Sequence, residues 1–503
     1  MADTTPRPGF RLRSSEHSVL LLLGDLVASV IADFSALQLW KLYILHDLIV
    51  TRFRIERIQI LLRAPFWFYF SPSYVDNVLN QLFVRLHIPF WFYLLPLGWA
   101  LLMIDLYDPH VAANWRRTLR GIAIAAFVGI VVYSLIFIVT QDPNALPRIG
   151  VGAFLIIASL LTLGWRALYI RLYNAPELMR RVLVLGAGKA GLALVQTFNK
   201  LKPPPFNLIG FIDDDPHKSK HTFEGFPVLA SSRHLLKIVE DYRVSDLVIA
   251  ITGEIRGATF QAILDAQEHG IEVTRMPILY EEMAGRVPVH HLESDWMIRS
   301  FTDEMRVSRF YELVKRLMDL LGGAVGLLLF GISFPFILVA TWIDTGFPIF
   351  YAQTRLGQGG EVFKIFKYRT MHQSAEADGE AKLAVENDPR VTRVGNFLRK
   401  TRLDELPQFW NVLNGEMSLV GPRAERPELI AEFQRQIPFY RARLLVKPGL
   451  TGWAQINYGY VASVTETVVK LEYDLYYIKH RSLMMDIMIT LRTIGTVLSR
   501  KGR

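Results

Sequence analysis

The stretch that decides the fold of the central part of the chain is Arg181–Leu194, which reads RVLVLGAGKAGLAL. A short apolar strand runs into a glycine-rich turn, and a helical pattern follows. A second strand, Leu208–Ile212, ends at Asp213, about 22 residues beyond Gly191. Further strand patterns at 246–251 and 271–276 alternate with helical patterns at 231–242 and 257–269. This alternation predicts a parallel, Rossmann-like α/β block.

The glycine-rich turn of this block is a candidate nucleotide site. Glycines let a backbone approach a phosphate at a helix N-terminus, so the residues that would bind a nucleotide are Gly186, Gly188, Gly191 and Asp213. The alternative is that the fold keeps its tight turn without any ligand. No second set of hydride-transfer residues is visible, so this block alone does not predict an oxidoreductase.

Apolar residues are concentrated in the chain upstream of the block. Aliphatic and aromatic residues make up 51% of the 503 residues, charged residues 20%, and cysteine is absent. The missing cysteine excludes disulfides, thiolate metal sites and a cysteine nucleophile. Four apolar runs approach the ~18–20 residues that span a bilayer, at 18–45, 88–107, 119–140 and 149–170. No small-residue cleavage site closes the first run, so we expect an anchor rather than a signal peptide.

The distribution of arginine predicts the orientation of these spans. Arg11, Arg13, Arg116, Arg117, Arg120, Arg166 and Arg171 flank the cytosolic ends that the positive-inside rule would assign. Both ends of the chain are therefore expected in the cytosol. The segment 46–87 fits badly, because it should be external yet carries five arginines. Its aromatic stretch Phe66–Phe70 predicts a piece that lies along the membrane surface.

A fifth apolar run, 317–343, is punctuated by glycines and by Pro335. Proline in a helix interior removes a backbone hydrogen bond and kinks the helix. Basic residues flank the run on both sides, which favours a broken, re-entrant helix that enters and leaves by one membrane face. Ser333 is placed to satisfy backbone groups at the kink. An ordinary fifth span with a proline kink is the alternative.

The residues that indicate chemistry follow this run. A polar stretch at 372–390 predicts a mobile loop, and Asp404-Glu405-Leu406-Pro407 then predicts two carboxylates at the start of a helix. Such an ionised carboxylate can act as a nucleophile or bind a metal. Arg399 lies before the pair and Arg423 lies 19 residues beyond Asp404. Carboxylates among arginines suit phosphoryl transfer, although the motif by itself is also typical of a simple helix cap.

Residues 308–503 resemble the bacterial sugar transferase family, the polyprenol-phosphate phosphoglycosyl transferases with one membrane-associated catalytic domain. The matching stretches are VKRLMDL (314–320), VFKIFKYRTM (362–371), ENDPRVTRVGNFLRKTRLDELPQFWNVLNGEMSLVGPRAER (386–426), KPGLTGWAQIN (447–457) and YDLYYIKHRSLMMDI (473–487). The whole chain resembles the long members that initiate exopolysaccharide or O-antigen repeat units.

The resemblance implies a two-step reaction. Asp404 would attack a UDP-sugar, release UMP and carry the phosphosugar until undecaprenyl phosphate accepts it. Glu405 would hold Mg²⁺ together with Asp404 or assist as a base. The substrate-phosphate contacts that the resemblance implies are Arg399, Arg423, Lys315 and Lys367, with Lys315 assigned to the lipid phosphate. In the family the broken helix is re-entrant and kinked at Ser-Pro.

Two departures from the family pattern affect these expectations. Phe334 separates Ser333 from Pro335, so the geometry of the kink differs. Many relatives carry Gly-Arg after the position of Asn457, whereas this chain has Tyr458-Gly459-Tyr460. A cationic contact is absent there, which bears on recognition of the nucleotide or the sugar.

We therefore expect a membrane helical bundle, a Rossmann-like domain and an α/β catalytic domain with a re-entrant helix. The predicted limits are a four-span region at 1–175, a Rossmann-like domain at 176–285, a linker at 286–307 and a catalytic domain at 308–503. The expected location is the bacterial inner membrane, with the catalytic domain on the cytosolic face. The expected partners are UDP-sugar, undecaprenyl phosphate, membrane lipids and, through the extra block, a second copy in a homodimer.

The formal charge of +9 does not predict nucleic-acid binding, because much of it flanks membrane segments or surrounds Asp404. Two other functions stay open at this point: a nucleotide-dependent sugar-modifying oxidoreductase, and a non-catalytic membrane scaffold. The sequence does not choose the sugar.

Overall fold

The protein is described from a computed structural model of the 503 residues. It describes residues 14–60, 90–107, 109–112, 114–140, 148–173, 179–292, 307–372, 390–459 and 463–498. The predicted aromatic belt Phe66–Phe70, most of the predicted loop 372–390 and Tyr460 lie outside these residues. The chain forms two compact units, one of Met1–Arg180 with Leu201–Asn207 and one of Arg181–Lys200 with Leu208–Arg503.

The first unit is helical. Its α-helices are α1 (Ser14–Ile60), α2 (Leu95–Leu102), α3 (Pro109–Ala112), α4 (Trp115–Thr140) and α5 (Arg148–Tyr173). Three contain segments long and apolar enough to cross a membrane, at Val19–Tyr43, Trp115–Ser134 and Ile149–Leu172. They coincide with three of the four predicted spans before the α/β block, so the helical form of these runs is confirmed, and their crossing of a membrane stays a prediction.

The predicted span at 88–107 differs from expectation. Its described part consists of a 3-10 helix Phe90–Leu94, the α-helix α2 and a second 3-10 helix Ile104–Tyr107. Pro96 occupies the first turn of α2, where its missing N–H costs no helical hydrogen bond. Apolar composition predicted one continuous helix here, but the proline favours a new helix start instead.

The first unit also buries an ion pair. The Arg166 guanidinium donates to the Asp25 carboxylate at 2.5 Å and to the Leu106 carbonyl at 2.7 Å. Both charged side chains are fully buried. The prediction that Arg166 is a cytosolic flanking charge is therefore wrong: Arg166 is the internal partner of Asp25, and the two residues lie on two apolar helices. Charges in apolar surroundings pair in this way because an isolated charge there is costly.

The second unit begins with a six-stranded sheet in the order β3-β4-β2-β1-β5-β6. The strands are β1 (Arg181–Leu185), β2 (Asn207–Ile212), β3 (Thr222–Phe223), β4 (Phe226–Ala230), β5 (Asp246–Ile249) and β6 (Glu272–Arg275). The helices of this block are α6 (Lys189–Lys200), α7 (Leu235–Asp241), α8 (Gly257–Glu268) and α9 (Met276–Ala284).

The parallel α/β pattern is confirmed. β1 pairs in parallel with β5, and β5 pairs in parallel with β6. Val182 to Leu185 are almost fully buried, as expected for a parallel strand covered on both faces. The sequence reading missed the antiparallel β3–β4 hairpin. Its turn residues Glu224 and Gly225 both have positive φ, as a tight two-residue hairpin requires.

The rest of the second unit contains Asp404-Glu405-Leu406-Pro407, the DELP motif. Its α-helices are α10 (Arg309–Thr345), α11 (Arg393–Thr401), α12 (Phe409–Asn414), α13 (Pro427–Gln436), α14 (Trp453–Asn457), α15 (Val464–His480) and α16 (Leu483–Leu498). Its strands are β7 (Phe350–Leu356), β8 (Val362–Tyr368), β9 (Ser418–Val420) and β10 (Gly449–Thr451). β7 and β8 form an antiparallel hairpin, while β9 and β10 pair in parallel.

The helix α10 contains the fourth candidate membrane span and runs without interruption through Pro335. Ser333 Oγ donates to the carbonyls of Leu329 at 2.8 Å and Phe330 at 3.2 Å. The sequence predicts a helix that is broken near Pro335, but the structure shows one continuous α-helix there. The re-entrant path itself stays a prediction.

The predicted linker at 286–307 starts with residues that pack in the catalytic part. Val287 and Val289 are buried in the same apolar cluster as Leu471 and Trp453. The backbone N–H of Val287 donates to the Glu472 carbonyl at 3.1 Å. The apolar contacts and the backbone hydrogen bond of Val287 thus join the end of the α/β block to helix α15.

Candidate active site

The two carboxylates of the DELP motif lie on a 3-10 helix, Leu403–Gln408, between α11 and α12. α11 ends at Thr401, and the left-handed backbone of the following residue, Arg402 (φ 58°), turns the chain into this short helix. Asp404 and Glu405 occupy its first turn, as predicted. Pro407 lies inside the 3-10 helix, and the α-helix α12 begins only at Phe409. The expected helix dipole is therefore that of a short 3-10 helix.

Glu405 is the centre of a cluster of cations. Its Oε1 accepts from Lys367 Nζ at 2.9 Å and from Arg423 Nη2 at 2.9 Å. Arg402 Nη1 lies 4.0 Å from the same oxygen. Burial by itself raises the pKa of Glu405, but the charges of Lys367, Arg423 and Arg402 outweigh it and hold the pKa well below its usual value. Glu405 is therefore an anion that keeps these cations in place.

Asp404 differs sharply from its neighbour. The residue is 92% buried, and its Oδ1 has no hydrogen-bond partner in the described structure. Burial raises the pKa of Asp404 to about 6, and the charge of Glu405 adds to the rise, while Lys367, Arg402 and Arg399 reduce it. A buried carboxylate with a free oxygen and a pKa just below neutrality is available to react. At pH 7 it is mostly ionised.

Lys367 reaches the site from strand β8. It shares the inward face of that strand with the buried Phe363 and Ile365, because side chains alternate along a strand. Burial lowers the pKa of Lys367, while Glu405 opposes the change. Arg399 comes from α11, and its Nε donates to Thr370 Oγ1 at 2.9 Å. The structure therefore brings together four of the predicted residues, Asp404, Glu405, Lys367 and Arg423, with Arg399 close enough to influence Asp404.

The backbone of Arg423 is contacted by a cluster of buried charged residues that the sequence did not predict. Arg443 Nη2 donates to the Arg423 carbonyl at 3.1 Å, and Arg443 Nε donates to Asp474 Oδ2 at 2.8 Å. Glu425 lies 2.7 Å from Lys470 Nζ and 3.6 Å from Arg443. Burial would raise the pKa of Glu425, but these cations bring it down to about 2. No short motif signals this cluster, because its members lie on separate elements.

Arg369 is a second residue that the sequence reading did not assign. It is 92% buried, and its Nη2 donates to the carbonyl and the hydroxyl of Thr345 at 3.0 and 2.9 Å. Nε and Nη1 are buried without a hydrogen-bond partner. Arg369 follows the end of strand β8 directly and bonds the end of α10, whereas Lys367 bonds Glu405. The signal was present in the family stretch VFKIFKYRTM.

Three predicted residues are not part of the cluster around Asp404 and Glu405, the carboxylate dyad. Lys315 donates to Val420, Tyr477 and Asp486. Ser333 and Pro335 lie within α10, where Ser333 bonds its own helix. The assignment of Lys315 to a lipid phosphate, like the kink at 333–335, stays a prediction.

The glycine turn of the α/β block is tightly packed and is stabilised by hydrogen bonds to Asp213. Gly186 has φ of +109°, and a Cβ on Gly191 would meet the Gly186 carbonyl, so both positions require glycine. Asp213 Oδ2 accepts from the Ala187 backbone N–H at 2.8 Å and from Lys218 Nζ at 2.9 Å. Its Oδ1 accepts from the Asp215 N–H at 2.9 Å. Asp213 thus fastens the turn, and nucleotide binding there stays a prediction.

Asp404 and Glu405 can supply carboxylate ligands to a magnesium ion, but they cannot fill its coordination shell by themselves. Within the described residues, no group of three or more histidine, aspartate or glutamate side chains could hold a metal. Asp404 Oδ1 is a buried acceptor without a partner, which fits one carboxylate ligand. Mg²⁺ commonly takes one or two carboxylates and completes its shell with substrate phosphates and water. The dyad therefore fits an ion that arrives with a phosphate substrate.

Sequence comparison identifies the class. The pattern of the bacterial sugar transferase family matches residues 310–500, and that of a CoA-binding domain matches residues 103–266. The UDP-galactose-lipid carrier transferase of Erwinia amylovora is 30% identical over 357 residues, which cover 67% of this chain and 72% of that protein. The chain belongs to the bacterial sugar transferase family, as the sequence resemblance predicted.

Two further relatives match shorter parts of their own length. The UDP-N-acetylgalactosamine-undecaprenyl-phosphate N-acetylgalactosaminephosphotransferase of Aeromonas hydrophila is 40% identical over 232 residues, 46% of this chain and 53% of that protein. The UDP-glucose:undecaprenyl-phosphate glucose-1-phosphate transferase of Xanthomonas campestris pv. campestris is 32% identical over 288 residues, 55% of this chain and 58% of that protein. The chain thus spans little more than half the length of these two relatives.

Proposed function

We propose that this protein transfers a sugar 1-phosphate from a UDP-sugar to undecaprenyl phosphate and releases UMP. The relatives named for this activity on glucose and N-acetylgalactosamine support the substrate class. The product would be the first lipid-linked unit of an exopolysaccharide, capsule or O-antigen. Glucose, galactose and N-acetylated hexoses are the sugars to test.

One observation carries this proposal. A buried aspartate with a free carboxylate oxygen, Asp404, stands next to Glu405, whose charge already holds Lys367 and Arg423. Phosphoryl transfer needs a positioned nucleophile and cations that bind phosphate oxygens. Among the described residues, Lys367 Nζ and Arg423 Nη2 each donate to Glu405 Oε1, and an ammonium and a guanidinium carry further hydrogens that can bind substrate phosphate oxygens.

In the first step, a carboxylate oxygen of Asp404 attacks the phosphorus that carries the sugar. A bond from Asp404 to this phosphorus forms, and the bond from the same phosphorus to the bridging oxygen of the diphosphate breaks. UMP leaves with the electron pair. Lys367 and Arg423 stabilise the charge on the phosphate oxygens, and Arg399 adds a cation beside Asp404.

In the second step, a phosphate oxygen of undecaprenyl phosphate attacks the same phosphorus. The bond between Asp404 and phosphorus breaks, which regenerates the carboxylate and yields the lipid diphosphosugar. Glu405 stays ionised through both steps, because three cations surround it. Its role is then to hold Lys367 and Arg423 against the phosphates rather than to take up a proton.

Asp404 and Glu405 are the residues that would hold Mg²⁺. When bound, the ion would neutralise charge on the substrate phosphates. The free Oδ1 of Asp404 supports this assignment.

We place the site at the cytosolic face of the inner membrane, with α10 entering and leaving by that face. In the first half of α10, Gly323 and Gly326 lie against Leu413 and Phe409. Near its end, the Asp344 carboxylate accepts from the Val394 N–H at 3.2 Å. Both halves of α10 thus contact elements of one soluble domain, which favours a re-entrant path over a full crossing. Tags placed after residue 180 and at residue 503 should both be cytosolic, and an external tag at 503 would contradict this path.

The decisive experiment looks for the covalent intermediate. The purified full chain is mixed with a UDP-sugar labelled in the sugar, without undecaprenyl phosphate, and the protein mass and the released UMP are measured. We expect one phosphosugar per active site and an equal amount of UMP. Asp404→Asn should give neither. Label that persists in Asp404→Asn would rule out this nucleophile, and a wild type that releases no UMP from any UDP-hexose would favour the scaffold alternative.

A homodimer is a further expectation that the contacts within one chain leave open. Mass measurement of the detergent-solubilised protein would determine it.

A further inference from the structure

Lys315 lies near the start of α10 and donates all of its hydrogens within the chain. Its Nζ lies 3.0 Å from the Val420 carbonyl, 3.1 Å from the Tyr477 hydroxyl and 3.0 Å from Asp486 Oδ2. A lysine ammonium has three hydrogens and no acceptor. These three partners therefore account for its full hydrogen-bonding capacity, which leaves nothing for an oxygen of a ligand unless a bond in the cluster breaks.

The partners of Lys315 are themselves fixed. Asp486 is 99% buried, and its Oδ2 also accepts from the Tyr311 hydroxyl at 2.9 Å. Tyr477, also 99% buried, donates to Asp486 Oδ1 at 2.8 Å. A buried carboxylate that loses its cation is left with an uncompensated charge, which is strongly unfavourable. The cluster therefore resists release of Lys315.

The carbonyl that Lys315 holds leads directly to the active site. Val420 is the last residue of β9 and lies three residues before Arg423, which contacts Glu405. The path from Lys315 to the dyad thus runs through one strand end and one short loop.

The same turns of α10 hold the surrounding backbone at two more points. Asp319 Oδ1 accepts from the Leu419 N–H at 2.8 Å and from Ser418 Oγ at 2.9 Å. Arg316 donates to the carbonyls of Val412 at 2.9 Å and Leu413 at 2.7 Å, at the end of the helix that follows the dyad. One polar segment of α10 therefore holds both the element after Asp404 and Glu405 and the strand before Arg423.

We propose that Lys315 is a positioning residue, which sets Arg423 against Glu405 through the Val420 carbonyl, and that it is not the contact for the acceptor phosphate. This rests on the proposed function, because it assigns a role within that reaction. The Lys315–Asp486–Tyr477 cluster then couples the membrane helix to the phosphate-binding arginine. Both half-reactions use Arg423, so both should depend on Lys315.

The two half-reactions separate the roles. UMP release in a single turnover is measured without any lipid, and steady-state turnover is measured against the concentration of undecaprenyl phosphate. For Lys315→Met we expect UMP release without lipid to slow by ~10–100-fold, because a displacement of about 1 Å at a reacting site can have an effect of that size. An acceptor contact would instead leave this step unchanged and raise only the KM for undecaprenyl phosphate, and that result would overturn the proposal.

Lys315→Arg gives a second, independent reading. Arginine keeps the charge and binds phosphate at least as well as lysine, so an acceptor contact would keep a near-normal KM. A planar guanidinium cannot reproduce the three bonds of the ammonium, so positioning predicts slower UMP release without lipid. If Lys315→Met does not fold, Lys315→Arg decides between the two outcomes.

Asp486→Asn completes the test, and Lys237→Met provides a matched control on an exposed lysine of the α/β block. Asp486→Asn should slow UMP release as Lys315→Met does, and the double variant should be no slower than the slower single variant. Additive losses would contradict a shared cluster. If the wild type releases no UMP, the proposed function fails first; if it is active and Lys315 variants release UMP normally, only this inference fails.

Discussion

The sequence predicts two phosphate sites, the glycine turn with Asp213 and the DELP turn with Asp404. The two turns differ in whether other groups of the chain donate hydrogen bonds to both oxygens of the aspartate. In the glycine turn, both oxygens of Asp213 accept hydrogen bonds from neighbouring N–H groups and Lys218. In the DELP turn, Asp404 Oδ1 is buried without a partner, and the cations nearby gather on Glu405. A buried polar group without a partner is costly, so its presence points to a ligand or a reaction. The motif alone does not distinguish these two turns.

Among changes that leave the attacking carboxylate of Asp404 in place, the largest expected effect comes from a cation on Glu405. Arg423→Met removes one of them and leaves a buried carboxylate with less compensation, and we expect UMP release to fall by ~10²–10³-fold. The rate is measured in a single turnover with saturating UDP-sugar. Arg441→Met, on an exposed arginine of the same part of the chain, should stay within about twofold of the wild type. Equal losses in the two variants would contradict a specific role for Arg423.

The second prediction uses the protonation of Asp404. Its pKa is raised to about 6, and the ionised form is the nucleophile. The single-turnover rate should therefore be near its plateau at pH 7 and fall to roughly a tenth of it at pH 5. Arg399 lowers the pKa of Asp404, so Arg399→Gln should move the midpoint to higher pH. A midpoint near 4 would show that burial does not control this carboxylate.

The elements that carry the two turns were predictable from sequence, but the contacts that distinguish the turns were not, for physical reasons. The strands of the block and the position of Asp404 and Glu405 follow from local patterns. The partners of Glu405 do not, because Lys367 precedes it by 38 residues and Arg423 follows it by 18. The internal use of Asp213 was equally invisible: a motif gives the residue types but not which hydrogen bonds they already make.

The membrane part shows the same limit. Hydropathy located three apolar segments that the structure forms as helices long enough to cross a membrane, since length and composition decide such segments. It did not predict the helix start at Leu95, directly before Pro96, nor that Arg166 and Asp25 lie buried against each other with 140 residues between them. Pairing across helices depends on packing, which no single segment encodes.

The third prediction tests whether the glycine turn is a structural unit. A Cβ on Gly191 would meet the Gly186 carbonyl, whereas nothing lies within 4 Å of a Cβ on Gly188. Gly191→Ala should therefore destabilise the protein by about 1–3 kcal/mol and lower its thermal midpoint. Gly188→Ala should change the midpoint little and leave UMP release intact. If Gly188→Ala instead removes binding of a nucleotide that the wild type retains, the turn is a ligand site after all.

The smallest expected effect is also the sharpest comparison, because one chemical change is made in both turns. In Asp213→Asn, the amide oxygen can still accept from the Ala187 N–H, but the amide nitrogen that replaces Oδ1 loses the bond from the Asp215 N–H, which costs about 1 kcal/mol of stability. The lost ion pair involves Lys218, whose side chain is 31% exposed. Solvent screening limits that loss to below about 1 kcal/mol, so UMP release should stay within about twofold of the wild type. In Asp404→Asn, an amide of the same shape replaces the attacking oxygen, and formation of the intermediate should cease. Measuring UMP release and thermal midpoint in both variants separates a carboxylate that fastens a turn from one that reacts. A large loss of activity in Asp213→Asn would mean that the glycine turn contributes to the reaction, and the contrast drawn here would not hold.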